Sequence, residues 1–466
     1  MIFSSISFIY YFLPIVLLIY FIIPNKYKNL VLLISSLFFY YYGENTYIWV
    51  LLLSCLINYL SGILLDKIKR KNNKKIILII TIIINLGLLC YFKYTNFFIQ
   101  NINHIFKSKI NLLHIVLPLG ISFFTFQTIS YVIDVYNGKV KANKNIINFA
   151  CYVTLFPQLI AGPIVRYKDI NKELEQRTTT FDDFGEGVKR FIIGLSKKVL
   201  IANNIGEMIS ILTSLNNPTI VSYILVAIGY TIQIYFDFSG YSDMAIGLGR
   251  MLGFHFLENF NYPLIAKNIT DFWRRWHISL SSFFRDYVYI PLGGNRVSIP
   301  KHLRNILIVW LLTGFWHGAT WNFIIWGLYF GIILIIEKYM LKDFLKKHPI
   351  FSHIYTAILV IISFIIFNTD NFNDTIYFLK NMIGLNHLPF MNFETLYYLK
   401  SYLVLIIISI ISATPLLKNI IKRLTNRKIY KNIFDTLEIG ACMFLLIIVT
   451  AYLIDTSFNP FLYFRF

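Results

Sequence analysis

The chain reads as an all-α polytopic membrane protein of about 11 spans with added re-entrant or interfacial helices, residues 1–466 forming a single membrane-embedded domain. Three observations predict this. Hydrophobic residues make up 57% of the sequence against 14% charged, with a mean hydropathy of +0.62, far from the composition of soluble domains. The apolar residues run in blocks of helix-spanning length separated by short polar connections. The basic excess, 43 Lys and Arg against 23 Asp and Glu, is gathered in those connections. In a soluble protein it would suggest nucleic acid; here it reports topology, so the expected partner is the lipid bilayer and no nucleic acid is expected.

In chain order, apolar runs at 5–23, 29–43, 47–65 and 76–92 read as spans. The first has no basic residue before it and no small-residue cleavage pattern after it, so it is expected to be a permanent span. The densest basic loop of this half, Lys67 to Lys75, is expected on the cytoplasmic side with Lys26 and Lys28, which leaves the N-terminus outside. The same rule puts Lys338 to Lys347 and Lys418 to Lys431 inside, and Asp370 to Glu394 and the C-terminal SFNPFLYFRF outside.

Two segments break the apolar pattern. Leu113 to Tyr136 is interrupted by Pro118 and Gly120, and FPQLIAGPI (156–164) carries two prolines and a glycine. Irregular backbone at membrane depth is tolerated only inside protein or against a wet cavity, so both are expected to face the bundle interior. Lys189 to Lys198 reads as an amphipathic helix on the cytoplasmic surface, its charges solvated. Asp237 and Asp243 sit in apolar surroundings; they could serve general acid/base chemistry or partner Arg274, Arg275 or Arg285. The four cysteines lie far apart with no metal-ligand or disulfide spacing, and no metal is expected.

Polar residues concentrate in FWRRWHISLSSFFRDYVYIPLGGNR and in LLTGFWHGATWNF. Wound as one helix at roughly 100° per residue, the first places Phe272, Trp273, Trp276, Leu280, Phe283, Phe284 and Tyr287 on an aromatic face. Arg274, Arg275, His277, Ser281, Ser282, Arg285 and Asp286 fall on the rest. In the second, His317 is the one ionisable group of a long apolar segment. A lone buried histidine is commonly just a satisfied core group, but one at membrane depth is by default a functional candidate. From Leu303 to His317 a helix rises about 21 Å, short of the roughly 30 Å hydrocarbon core. His317 is therefore expected at the turn of an intramembrane hairpin, with Gly314 and Gly318 permitting the break.

These motifs resemble the membrane-bound O-acyltransferases, in particular the bacterial branch containing the membrane subunit of alginate O-acetylation and, more distantly, the D-alanyl transfer protein of teichoic acids. The resemblance rests on FPQLIAGPI, YFDFSGYSDMAIGLGRMLGF, FWRRWHISLSSFFRDYVYIPLGGNR, GFWHGATWNF and NPFLYFRF, in that order from about residue 120 onward. PLGGNR (Pro291 to Arg296) is closer to the polysaccharide O-acetyltransferases. The resemblance implies helices around a central tunnel in a bacterial cytoplasmic membrane, with acyl donor arriving from the cytoplasm and acceptor from outside. It implies that His317 is the essential histidine and His277 the second motif histidine. It also implies a periplasmic or extracellular accessory acyltransferase, for which no domain is evident in this chain.

The chemistry of the residues is compatible with that. An alcohol is a poor nucleophile near neutral pH, and an imidazole in a partly dry tunnel can take its proton as it attacks an acyl carbonyl. Trp316 and Trp321 could wall the tunnel; Asn322 could donate to the carbonyl oxygen or merely to backbone. His277, one turn from Arg274 and Ser281, could move a proton or hold the hairpin in place. Arg274, Arg275 and Arg285 could bind the phosphates of a coenzyme A thioester, or pair with Asp286 and anchor an interfacial helix in lipid headgroups; Asn295 and Arg296 could touch the donor or simply form a turn. No permanently bound cofactor is expected; acetyl-coenzyme A or another acyl thioester is the expected donor, and an extracytoplasmic glycan the acceptor. Two alternatives stay open here: D-alanyl transfer, and a transporter that passes acetyl groups to a separate transferase.

Overall fold

The computed structural model describes residues 2–425 and 428–455, and every described element is helical. Among the described residues seven helices are long and apolar enough to cross a membrane, with Ser7–Ile22 a shorter apolar helix, so the protein is a multi-pass membrane protein. The expected SFNPFLYFRF exit lies outside the described residues, as do Asn426 and Arg427 of the last basic loop. By backbone proximity the chain divides into two units, residues 1–191 with 242–257, and residues 192–241 with 258–466.

The first unit contains α1 (Leu13–Ile22), α2 (Lys28–Gly43), α3 (Ile48–Lys67), α4 (Lys71–Phe106), α5 (Ile121–Tyr136), α6 (Ile146–Thr154), α7 (Phe156–Leu159), α8 (Tyr167–Glu175) and most of α9 (Phe181–Ser196). Its helices are joined by polar side chains as well as by shape. Asn58 on α3 and Asn85 on α4 exchange two amide hydrogen bonds, both 2.9 Å, the kind of interhelical contact that apolar surroundings favour. FPQLIAGPI is interior as expected, residues 156–166 all being buried, whereas of Leu113 to Tyr136 only the part from Pro118 on is largely interior and Leu113, His114 and Val116 are exposed; Gly120 takes φ +73° close to the Leu159 carbonyl. A side chain at Gly120 would be strained by its φ and would strike that carbonyl.

The second unit holds α10 (Asn204–Thr213), most of α11 (Ile220–Met251), α12 (Ile269–Arg275), α13 (Ile278–Phe284), α14 (Ile299–His317), α15 (Trp321–Ile336), α16 (Lys342–Lys347), α17 (Pro349–Asn368), α18 (Phe372–Met382), α19 (Phe393–Ser412), α20 (Leu416–Thr425) and α21 (Lys428–Asp455). The acids of α11 find partners other than the arginines expected. Asp237 is buried against Lys198 at 2.7 Å within this unit, and Asp243 pairs with Arg190 at 2.9 Å within the first. Lys198 is thus interior, not part of a solvated face: it lies just past the end of α9, on a π-helical turn (Lys197–Asn203) that faces α11. Sequence periodicity cannot show this, because a single basic residue at a helix end reads the same whether it meets water or a buried carboxylate.

Candidate active site

Helix α14 ends at His317, Gly318 is extended at φ −168°, and α15 begins at Trp321. The hairpin is therefore present, and α14 is not among the seven span-length apolar helices because its first turns carry Lys301 and Arg304. Gly314 has a different task from the one expected. It lies inside α14 at the crossing with α15, where an added Cβ would meet the Phe323 carbonyl and the α-carbon of Gly327; Gly327 faces the Trp310 carbonyl in the same way. Two glycines thus let the limbs touch backbone to backbone, as small residues do between membrane helices. Gly318 alone serves the break, with the Phe323 ring against it.

This crossing presses His317 into a cage of rings. The imidazole is buried against Trp316 (5.0 Å between centroids), Trp326 of α15 (4.8 Å) and Phe367 of α17 (5.3 Å), all nearly perpendicular to it. Trp321, expected as a wall, is 59% exposed, and Trp326 is the indole that packs on the histidine. Asn322 donates through Nδ2 to the Thr369 carbonyl (2.7 Å) and to Thr369 Oγ1 (3.1 Å), tying the start of α15 to the end of α17.

His277 sits where one continuous helix was expected. The helix stops at Arg275, His277 takes φ +43°, and α13 begins at Ile278. The turn is stitched from outside: Ile278 N–H donates to the Asn259 carbonyl (3.0 Å), and Ser279 donates to Asn259 Oδ1 through its N–H (3.2 Å) and Oγ (2.8 Å). A backbone N–H fixes that amide oxygen as the acceptor, so His277 Nδ1, 3.1 Å away, carries the proton and donates to it. Nε2 is then the basic nitrogen. Complete burial pushes the His277 pKa down to about 3, so the ring is neutral. Its face meets Phe238 of α11 at 4.7 Å and Trp316 at 6.1 Å, placing Trp316 between the two histidines.

The break also redistributes the polar residues of the expected helical face. Arg275 pairs with Asp271 (2.9 Å) and donates to the Asn261 carbonyl (3.3 Å), strapping the elbow. Ser281 Oγ donates to the Trp273 carbonyl (3.3 Å) across the break. Arg285 is exposed and paired with Asp286 at 2.8 Å. Asn295 is exposed in the turn after Gly293 (φ +100°) and Gly294 (φ +56°), a turn held to α14 by Asn305, whose Nδ2 donates to the carbonyls of Leu292 and Gly294 (3.1 Å each).

Arg274 stands apart from these. It lines a cavity of about 780 Å³ with Lys267, Lys338, Lys342, His302 and Trp310. Of the two acids there, Asp271 is held by Arg275, and Glu337 accepts from Ile269 N–H (2.7 Å) and Thr270 N–H (3.1 Å) at the start of α12. His302, which reads in sequence as one more polar residue beside a basic loop, is buried between Tyr289 (2.8 Å) and Tyr339 (2.7 Å). From this cavity an aromatic wall runs inward: Trp310 packs at 6.5 Å on Trp326, and Trp326 on His317.

Sequence reasoning did not single out Asn259, Trp326, Phe367 or His302. Trp326 and Phe367 lie in uniformly apolar runs, and Asn259 carries no motif of its own; only the positive φ at His277 gives it a role.

Comparison with known proteins shows the family. The sequence model of the family described as MBOAT, membrane-bound O-acyltransferase family, matches residues 141–378, which hold both histidines, the elbow, the hairpin and the basic cavity. A probable alginate O-acetylase, AlgI, of Pseudomonas aeruginosa is 44% identical over 378 residues, covering 80% of this chain and 72% of that protein. A peptidoglycan O-acetyltransferase of Helicobacter pylori is 36% identical over 83% of this chain and 80% of its own length. A teichoic acid D-alanyltransferase of Bacillus subtilis is 31% identical over 52% of this chain and 65% of its own.

Proposed function

The chain belongs to the membrane-bound O-acyltransferase family and is an O-acyltransferase, and from that premise we propose that it moves an acetyl group from acetyl-coenzyme A to a hydroxyl of an extracytoplasmic polysaccharide, directly or through a partner acyltransferase on the outer side. The carrying observation is the placement of His317: a basic nitrogen at the break of a hairpin, inside rings that exclude water, at the end of an aromatic wall leading from a cation-lined cavity. Arg274, Lys267, Lys338 and Lys342 take the donor's phosphates as charge-assisted partners. The acceptor hydroxyl attacks the thioester carbonyl as His317 takes its proton; the C–S bond breaks, and the thiolate leaves and recovers that proton as a thiol. His277 acts through Trp316, holding the ring that separates the two imidazoles.

The acceptor side follows from the same frame. With the basic loops in the cytoplasm, the protein lies in a bacterial cytoplasmic membrane with its N-terminus outside. Acetyl is favoured over D-alanyl because the O-acetyltransferase relatives align over four-fifths of this chain and the D-alanyltransferase over about half. The transporter alternative falls with membership of an enzyme family. The test is transfer of radiolabelled acetyl from acetyl-coenzyme A by purified protein in liposomes, with glycan fragments supplied as acceptor. Label in an alkali-labile glycan ester is the expected result; label that reaches only water, with every glycan unmodified, would overturn the assignment.

A further inference from the structure

A second cavity, of about 530 Å³, opens between α10, the start of α11 and α18. We infer that it binds a neutral, hydroxyl-rich saccharide ring and forms the acceptor side of the site around His317. This rests on the proposed polysaccharide acceptor for its place in the reaction, but its binding chemistry stands by itself.

The lining supplies what a sugar ring needs. Tyr223 and Phe378 meet edge to face at 4.9 Å, and Tyr377 beside them is 61% exposed, giving aromatic surface for the C–H face of a pyranose. Thr213 contributes a hydroxyl oxygen, its proton going to the Ile209 carbonyl (2.8 Å), and Asp374 a carboxylate. That carboxylate is pre-set: Asn371 Nδ2 donates to Asp374 Oδ2 at 2.6 Å, and Asn371 Oδ1 accepts from the Asp374 N–H at 3.0 Å, so Oδ1 of Asp374 can accept from a sugar hydroxyl. A few fixed polar groups among apolar walls are the usual make-up of a small-molecule site.

Two further observations give the cavity its role and its selectivity. It adjoins the His317 cage through α17: Phe367 packs on the imidazole, and Thr369, two residues on, lines the cavity while holding Asn322 at the start of α15. Among the described residues lining it there is one carboxylate and no lysine, arginine or histidine. A uronate would bring its negative charge to Asp374 with no cation to meet it, whereas a neutral hexose or N-acetylhexosamine would bring only donors and acceptors. The acceptor here is therefore a neutral saccharide, although relatives are named for alginate, a polyuronate.

The experiment is equilibrium binding to the full chain in lipid nanodiscs, with chitotetraose as the neutral probe and an oligomannuronate of equal length as the charged one. Chitotetraose is expected to bind, oligomannuronate at least tenfold more weakly, and Tyr377→Ala to weaken chitotetraose at least tenfold. Tyr377 is largely exposed, so its replacement leaves the fold intact. Asp374→Lys is expected to reverse the preference between the probes. His317→Ala is expected to bind chitotetraose as the wild type does, and wild-type protein that binds it but transfers no acetyl to it would count against the proposed function and leave this inference standing. No binding of chitotetraose, binding indifferent to both Tyr377→Ala and Asp374→Lys, or oligomannuronate bound equally well would each overturn it.

Discussion

His317 and His277 flank the same indole but sit in different surroundings. Around His317 there are rings from α14, α15 and α17 and two glycines at a backbone crossing, so close packing surrounds it. Around His277 there is a left-handed turn with Asn259 Oδ1 accepting from three donors, so its position and tautomer are set by hydrogen bonds. A hydrogen-bonded ring with a depressed pKa is suited to staying as it is.

The sharpest way to break the contrast is at the crossing. Gly314→Val places a side chain against the Phe323 carbonyl and Gly327, and backbone cannot yield as a flexible side chain would. The expected cost is about 3 kcal/mol, the upper part of the range for overpacking, read from thermal or denaturant unfolding in detergent. A change near zero would mean that the limbs separate without loss.

The elbow gives a smaller effect with a different signature. Asn259→Leu leaves donors of His277 and Ser279 without their acceptor, for a loss of about 2 kcal/mol. Because the two side chains act together, adding Asn259→Leu to His277→Leu is expected to cost clearly less than the sum of the single changes. Full additivity would deny the coupling.

The most gradual expected effect is on pH dependence. The folded His277 titrates near 3 and an unfolded histidine near 6.5, so below about 6.5 the unfolded chain takes up a proton that the folded one refuses. Its contribution is fully present above that pH and declines as pH falls toward 3, by at most about 1.4 kcal/mol per unit. Unfolding measured from pH 7 to 4 should show this slope in wild type and a shallower one in His277→Gln.

The same contrast explains what could be read in the sequence. The hairpin was legible because helix rise per residue, basic ends and a glycine after the histidine are linear features. The interior placement of FPQLIAGPI followed from its prolines for the same reason. The elbow was not legible: Phe272 to Tyr287 has a good helical face, and nothing local announces that Trp276 and His277 leave it, because the turn is stabilised by Asn259, eighteen residues earlier. Nor could the partners of Asp237 and Asp243 be read, since ion pairing depends on which helices meet. Arg274, Arg275 and Arg285 look alike in sequence, yet one lines a cavity, one straps the elbow and one pairs at the surface.

The most direct test of the account is the rate of acetyl transfer from acetyl-coenzyme A to a glycan by His317→Ala and by His277→Gln, measured beside wild type in liposomes after each variant is shown to be folded and inserted. If His317 takes the acceptor's proton and His277 holds Trp316, His317→Ala should lose roughly a hundred- to ten-thousandfold and His277→Gln much less. A His317→Ala protein as active as wild type, or one that outpaces His277→Gln, would contradict it.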